Sequence, residues 1–269
     1  MSPLVTALVV GAVVAAVSGP VGVFMVARGQ SFAGHALADA GTTGGAAGYL
    51  AGVNVLYGFV AFNLVAAAAM EALGGRRAIA RDVATGVVLG ASLALTALFL
   101  HIETSTATTG ATVTVLFGSL FSLAPGTVPV VAALGAVSLA LSALLYRPLL
   151  LSAVHPDLAR ARGVHPGLVG AGYLAALSLA VSLSAVTIGA ILSTALLVGP
   201  AAAALHLVRR PAAAMALASL AALACTLGGV GLAYASYHWP PAGRGWPVSF
   251  FVVASVLLVY GASLAARRR

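Results

Sequence analysis

Long apolar stretches alternate with short polar breaks along the whole chain. Each stretch approaches the roughly 20 apolar residues that an α-helix needs to cross a bilayer. The pattern therefore predicts an all-α protein, a polytopic transmembrane helical bundle of about eight or nine spans that occupies residues 1–269 as a single domain. Its spans are predicted, in chain order, at Leu4–Val26, His35–Leu50, Val53–Leu73, Val83–Leu100, Pro129–Leu145, Gly167–Ala185, Ile188–Val208, Ala212–Tyr234 and Val248–Ala266.

The segment 104–123, TSTATTGATVTVLFGSLFSL, departs from this pattern because its first half is rich in threonine. A start with so many hydroxyl groups disfavours a helix that faces lipid. We expect this segment to lie partly outside the bilayer, as a re-entrant or surface helix.

Small residues recur at four-residue spacing in the second predicted span. Such spacing allows the backbones of two membrane helices to approach closely. The contact could lie within one subunit or form a seam between two copies. The glycines concerned are Gly41, Gly44, Gly45, Gly48 and Gly52.

The composition excludes a soluble fold. Hydrophobic residues make up 61% of the 269 positions, charged residues make up 7%, and the mean hydropathy is +1.10, whereas a soluble domain carries about 25% charged residues. Abundant Ala, Gly and Arg with no Lys suggests a GC-rich bacterial coding sequence. We therefore expect a multi-pass protein of the bacterial cell (inner) membrane, in contact with the lipid bilayer.

The net charge of +8 is explained by topology, because all 13 basic residues are arginines and they cluster between spans. Successive clusters are separated by sequence for an even number of spans, and basic loops stay cytoplasmic. This predicts an outside N-terminus and a cytoplasmic C-terminus, and no nucleic-acid partner. The clustered arginines are Arg28, Arg76, Arg77, Arg81, Arg147, Arg160, Arg162, Arg209, Arg210 and Arg267 to Arg269, and Arg244 falls outside the series.

Two ionisable residues in the second span, His35 and Asp39, are the first candidates for chemistry. An ionisable group at the centre of a span costs roughly 2.5 to 3.5 kcal/mol on insertion scales, so each is a candidate functional residue. Their spacing of four places both on one helix face, and an imidazole with a carboxylate suits zinc, manganese or iron. The alternative is an ion pair or hydrogen bond at a helix end near Arg28.

The longest predicted cytoplasmic loop, 147–166, contains the sequence HPDLARARGVHP. Pro156 and Asp157 suit the first turn of a helix, Arg160 and Arg162 suit the last turn, and Gly163 suits a C-terminal stop. A short amphipathic helix is predicted here, either as a surface helix at the lipid boundary or as a contact for a cytoplasmic partner.

Other unusual residues have simpler explanations. Pro200 lies inside an apolar span, where proline kinks a helix, either as a functional break of the kind transporters use or as a bend. Cys225, the only cysteine, is predicted to be a small apolar filler, and His206 an interfacial side chain. Three residues on the predicted outer side could receive a cation but more simply contact water: His101, Glu103 and His238.

Motifs for catalysis are missing from the sequence. A Walker motif needs a lysine at the phosphates, and the chain contains none. No GxSxG or HExxH motif and no paired carboxylates occur either. We predict no intrinsic enzyme activity and no intrinsic cofactor.

Several stretches, taken in order, resemble the permease family of zinc-, manganese- and iron-type ABC importers over about Gly19 to Ala262. In chain order, the stretches are GPVGVFMVARGQSFAGHALADAGTTG, TVLFGSLFSLAP, LLSAVHPDLARARGV, IGAILSTALLVGPAAAA and GLAYASYHWPPAG. The second stretch resembles that family's LFG segment, the third its D-P-E-L-A-x-x-x-G-V loop, and the fourth its G-x-L-L-x-x-A-L-L-x-x-P-A-A-x-A span.

The resemblance implies a transport permease whose cargo is a divalent metal, zinc, manganese or iron. It also implies partners: cytoplasmic ABC ATPase subunits that hydrolyse ATP, an extracytoplasmic metal-binding protein, and a second permease, either another copy of this chain or a related permease. A coupling helix seated on the ATPase would include Asp157, Leu158, Ala159 and Gly163.

The family's second span typically carries Asp-x-x-x-His along the metal path. Here the matching positions are His35 and Asp39, so the two ligand types are exchanged. The exchange keeps one nitrogen and one oxygen donor on the same face. The coupling loop also differs, with His155 where Asp is usual.

Two alternatives come from other classes of transporter. One is an ABC permease for another small cargo, such as a siderophore or cobalamin. The other is a stand-alone secondary transporter, which needs an ion-coupling carboxylate in a span. Only Asp39 is available for that role, and inverted repeats are not evident.

Overall fold

The computed structural model of the protein describes residues 2–74, 78–105, 116, 118, 120–154, 156–239 and 245–267. Those residues form α-helices and one short 3-10 turn at Leu120–Ser122, so the predicted all-α bundle is confirmed. The helices are α1 (Pro3–Ala27), α2 (Ser31–Leu50), α3 (Val55–Leu73), α4 (Ala78–Ser105), α5 (Thr127–Leu144), α6 (Tyr146–Val154), α7 (Pro156–Ala161), α8 (Pro166–Ile188), α9 (Ala190–Leu207), α10 (Pro211–Ser236) and α11 (Val248–Arg267).

Eight helices of the described part are long and apolar enough to cross a membrane. The exception among the long helices is α2, which has 20 residues but carries polar and small side chains. It packs against α3, α4, α8 and α9, so it presents little surface to lipid. A helix shielded in this way does not need an apolar exterior.

The centre of the bundle is α8. In the most apolar 18-residue stretch of α8, 83% of the residues are buried, compared with 22% in α4 at the periphery. Its neighbours are α1, α3, α5 and α9. Because α2 also lies against α8, the polar second span is held near the middle of the molecule.

Glycine allows α2 and α3 to lie in close contact. A methyl group placed on Gly44 would overlap the carbonyl oxygen of Gly58, and one placed on Gly58 would overlap the carbonyl oxygen of Gly44. This is the close approach that small residues permit between membrane helices. The four-residue glycine spacing therefore serves packing within one subunit, as one of the two interpretations predicted.

The loop 147–166 is more helical than the sequence indicated. It contains α6, which was not predicted, followed by the predicted short helix α7. The stop at Gly163 is confirmed: its φ is +76°, the Gly163 N–H donates to the Arg160 carbonyl (3.0 Å), and the Val164 N–H donates to the Ala159 carbonyl (3.0 Å). These two bonds form a Schellman motif.

Helix ends that carry the arginines meet at one side of the bundle. Arg28 after α1, Arg81 at the start of α4 and Arg160 in α7 line the same cavity, in agreement with the predicted cytoplasmic side. The predicted segment 104–123 lies largely outside the described residues. The membrane sides predicted for Arg76, Arg244 and Arg268 and for the side chain of Glu103 also fall outside the described residues.

Candidate functional site

The predicted ligand pair lies on the one accessible strip of α2. Between Ala33 and Ala46 every residue is buried except His35 and Asp39. With a rise of about 1.5 Å per residue, these two side chains leave the helix about 6 and about 12 Å from Ser31, in its N-terminal half. This stretch of the helix therefore buries its other side chains and leaves an imidazole and a carboxylate accessible.

The geometry of the pair suits a shared cation. The His35 Nε2 atom lies 3.7 Å from the Asp39 Oδ2 atom, with the two side chains 52% and 19% exposed. That distance is too long for a strong hydrogen bond. Two ligand atoms about 2.1 Å from a tetrahedrally coordinated ion would lie about 3.4 Å apart, so a small adjustment lets both bind one ion.

The alternative for this pair was an ion pair or hydrogen bond at the helix end near Arg28, and the hydrogen bonds of Arg28 go to other residues. Its Nη1 donates to the Ser152 Oγ (2.9 Å) and its Nε to the Gln30 Oε1 (3.3 Å), while the guanidinium lies 5.6 Å from the Tyr173 ring centroid. Burial lowers the pKa of Arg28 below its usual value, because the charged form loses solvation. The arginine thus ties the α1–α2 turn to α6.

Hydroxyl groups continue the polar face of α2 one turn beyond Asp39, and the sequence interpretation missed them. The Thr42 Oγ1 lies 3.0 Å from the Thr96 Oγ1 of α4, and the Thr43 Oγ1 lies 2.8 Å from the same atom. Thr42 also donates to the Asp39 carbonyl oxygen (2.6 Å). The adjacent threonines in GTTGG were visible in the sequence, but their common partner on α4 depends on helix packing.

The four predicted coupling residues have different environments. The Leu158 side chain is 43% exposed, whereas Ala159 is fully buried (0%). Gly163 forms the helix stop, and an added Cβ would meet no atom within 4 Å. Asp157 lies in α7, but its side chain is outside the described part of the chain. Among the predicted coupling residues whose side chains the structure describes, Leu158 is therefore best placed to contact a partner.

The remaining candidates pack as ordinary side chains. Cys225 is buried, as predicted for an apolar filler. The His206 Nδ1 lies 3.2 Å from the Ser263 Oγ, which supports a packing role. His238 stacks edge-on against Tyr234, with ring centroids 6.3 Å apart. Within the described residues, no group of three or more His, Cys, Asp or Glu side chains could hold a metal ion.

Eight helices of the described residues are long and apolar enough to cross a membrane, which defines a multi-pass helical membrane protein. The chain belongs to the ABC 3 transport family, whose sequence model matches residues 1–262. This membership confirms the family predicted from the sequence, and with it a protein that is a transport permease of the cell membrane and not itself an enzyme.

Individual relatives agree with this assignment. The chain is 30% identical over 84% of its length to the manganese import system permease protein ScaB of Streptococcus parasanguinis, and covers 78% of that protein. It is 27% identical over 84% of its length to the high-affinity zinc uptake system membrane protein ZnuB of Haemophilus influenzae, and covers 86% of it. The solved structure of PsaBC from Streptococcus pneumoniae in complex with Fab matches 98% of this chain and 91% of that one, with a TM-score of 0.82 and 25% identity.

Proposed function

We propose that this chain is the permease subunit of an ATP-driven importer for a divalent transition metal, and that His35 and Asp39 line the metal path. The observation that carries the proposal is the accessibility of these two side chains on an otherwise buried stretch of α2. An ionisable pair in a membrane helix is costly to bury, so such a pair is a functional candidate by default. Relatives named for manganese and for zinc support a first-row metal as the cargo.

The pair alone leaves a metal ion with too few ligands. First-row cations take four to six ligands, and one chain offers one nitrogen and one oxygen donor here. A second permease copy facing this strip would add another imidazole and another carboxylate, and water could complete the shell. The half-exposed His35 ring is available to such a partner. A shell assembled from two copies also suits passage, because separating the copies releases the ion.

The proposed transport cycle is alternating access. His35 and Asp39 are accessible, while Thr42 and Thr43, one turn further outward, are buried (3% and 0% exposed) against Thr96. In this conformation the polar face is thus closed on the outer side of the pair. Opening outward would require α2 and α4 to part at these hydroxyl contacts, after which an extracytoplasmic metal-binding protein could deliver the ion.

ATP hydrolysis would be supplied by cytoplasmic ABC ATPase subunits, seated on α7 through Leu158. Arg28 connects the α1–α2 turn to Ser152 of α6, and α6 packs against α7. A movement of α7 would therefore be transmitted to the start of α2. In this proposal residues 1–269 act as one transmembrane permease domain, with 147–166 as its coupling loop.

The direct test of the function is uptake by the transporter isolated from native membranes through a tag on this chain. Reconstituted vesicles should accumulate manganese, zinc or iron only when ATP reaches the ATPase and the metal-binding protein is present. Metal uptake driven by an ion gradient without ATP would favour the secondary transporter instead. ATP-dependent uptake of cobalamin or a ferric siderophore, with no uptake of free metal, would favour the related permease class.

A further inference from the structure

One carboxylate near the end of α3 lies against the start of the central helix α8. Glu71 is half-buried. A Cβ atom added to Gly170 would lie 2.8 Å from the Glu71 Oε2 atom, closer than ordinary packing allows. The missing side chain at Gly170 therefore leaves the space that the carboxylate occupies. Glu71 belongs to neither the proposed metal pair nor the proposed contact with the ATPase.

The start of α8 favours a negative charge at this place. The first N–H groups of a helix have no acceptor within it, and the N-terminus carries a partial positive charge. The first turn of α8 contains no acidic residue of its own and begins at Pro166. The imidazole of the preceding His165 is turned to the Gly163 carbonyl oxygen, 3.1 Å from its Nδ1 atom. Glu71 therefore supplies the negative charge from another helix.

Two arginines attract the same carboxylate. Glu71 lines one cavity together with Arg28 and Arg81, and it interacts electrostatically with both. The Arg81 side chain, in the first turn of α4, packs over the end of α3, since a Cβ atom on Gly74 would lie 3.0 Å from the Arg81 Cγ atom. The carboxylate thus connects the end of α3 with the start of α4, the end of α1 and the start of α8.

Arg28 extends this cluster to the coupling loop. Its Nη1 atom donates to the Ser152 Oγ of α6 (2.9 Å), and its guanidinium carbon lies 5.6 Å from the ring centroid of Tyr173 in α8. The Tyr173 hydroxyl in turn donates to the Val21 carbonyl oxygen of α1 (3.3 Å). Glu71 therefore acts on an arginine that already joins α1, α6 and α8.

A displacement of α3 would reach the helix that carries the proposed metal pair. The Gly44 and Gly58 backbones are in such close contact that neither residue has room for a Cβ atom, so α2 and α3 are tightly packed here. On the other side of Glu71, only residues 162–165 separate α7 from α8. The carboxylate lies between the end of the coupling loop and the helix that packs on α2.

We propose that Glu71 is a positioning residue of the transport cycle, which holds the start of α8 to α3 and so transmits movement of the coupling loop to α2. The inference rests on the proposed function, since the movement would come from an ATPase seated on α7. It adds a second connection to the one through Arg28 and Ser152. Water screens the attraction to the exposed Arg81, so the contact with the first turns of α8 is the main part of the connection.

Three variants isolate this contact. Glu71→Gln removes the charge and keeps the shape of the side chain. Gly170→Ala keeps the charge and pushes the carboxylate off α8, because the added Cβ meets only the flexible end of Glu71 at under 3.0 Å. Gly167→Ala is the matched control in the same turns of α8, where the added Cβ would lie 3.6 Å from the Glu71 Oε1 atom, an ordinary contact distance.

The first measurement is the number of metal ions taken up per ATP hydrolysed, by reconstituted vesicles that contain equal amounts of the transporter complex. Glu71→Gln and Gly170→Ala should each lower this ratio about threefold, in keeping with the effect of one charge near a helix N-terminus. ATP hydrolysis itself should continue, because the proposed contact with the ATPase is unchanged. Gly167→Ala should keep the wild-type ratio.

The second measurement is hydrogen exchange of the isolated complex without ATP or metal, which does not depend on transport. Protection of the amides in the first turn of α8 should fall about threefold in Glu71→Gln and Gly170→Ala, and stay at the wild-type level in Gly167→Ala. Lost protection together with a lowered ratio is the expected result. Lost protection with an unchanged ratio overturns the proposal, because the contact would then be only structural.

The remaining outcomes separate this proposal from the proposed function. A wild type that takes up no metal with ATP refutes the proposed function and the coupling role with it. A wild type that transports, with both Glu71→Gln and Gly170→Ala at its ratio and its protection, refutes the role of Glu71 alone. Equal losses in Gly167→Ala and Gly170→Ala also refute that role, since displacement of the carboxylate would not be their cause.

Discussion

At the scale of single residues, the sequence predicted the pairing of His35 and Asp39 because helical spacing alone places them on one face. The structure adds that their neighbours on α2 are buried, which no spacing rule could show. The hydroxyl contacts to Thr96 were not predictable, since they depend on which helix packs against α2. Likewise, the link from Arg28 to Ser152 joins residues 124 positions apart.

The exchanged order of the two ligands gives a residue-scale prediction. If only one nitrogen and one oxygen donor are needed on this face, the double variant His35→Asp/Asp39→His should retain metal uptake within a few-fold of the wild type. His35→Asp alone should lose about tenfold or more, a loss that even indirect partners of metal ligands produce. Uptake of radioactive metal at equal membrane abundance measures both, and a double variant as inactive as the single one would contradict shared ligation.

At the scale of helices, the hydrophobic pattern predicted the spans, and their ends moved for physical reasons. The helix α4 extends from Ala78 to Ser105, beyond the predicted Val83–Leu100, because its polar ends can leave the bilayer and still remain helical. The predicted boundary near Ala185 is replaced by a single residue, Gly189, whose φ of +89° lets α8 pass directly into α9. The helix α6 was missed because only one residue, Leu145, separates it from α5, so the pattern contains no polar break between the two helices.

The coupling segment gives a prediction at the scale of one helix, because the structure distinguishes its exposed residue from the residues that maintain its shape. Ala159 is buried and Gly163 has a positive φ, so changes there would disturb the segment itself. Leu158→Asp changes an exposed side chain and should lower copurification of the ATPase about tenfold, as loss of a central interface contact does. Permease abundance in the membrane should stay the same.

Leu207→Asp is the matched control for that variant. Leu207 is 51% exposed, similar to Leu158, but it lies at the end of α9. Copurification of the ATPase should therefore persist in the control. Equal amounts of ATPase bound to both variants and to the wild type would rule out Leu158 as a contact.

At the scale of the whole molecule, the arginine clusters predict a topology, and three of these arginines line one cavity. What the sequence could not show is the order of helices in the bundle. The central position of α8 and the contact of α1 with α10 join distant parts of the chain, and apolar stretches carry no signal for such partners. The accessible pair on α2 is consequently a property of the assembled bundle.

The most direct test of the metal path is ATP-dependent uptake of radioactive manganese and zinc by vesicles containing equal amounts of transporter. The permease would be the wild type, His35→Ala, Asp39→Ala or the control His238→Ala, whose imidazole lies on an exposed stretch at the end of α10. Each change on α2 lowers the cost of burying that helix, so insertion should be normal.

Uptake at the background level in His35→Ala and in Asp39→Ala, with the control at the wild-type rate, is the predicted result. Wild-type rates in both α2 variants would contradict it and show that the pair is structural.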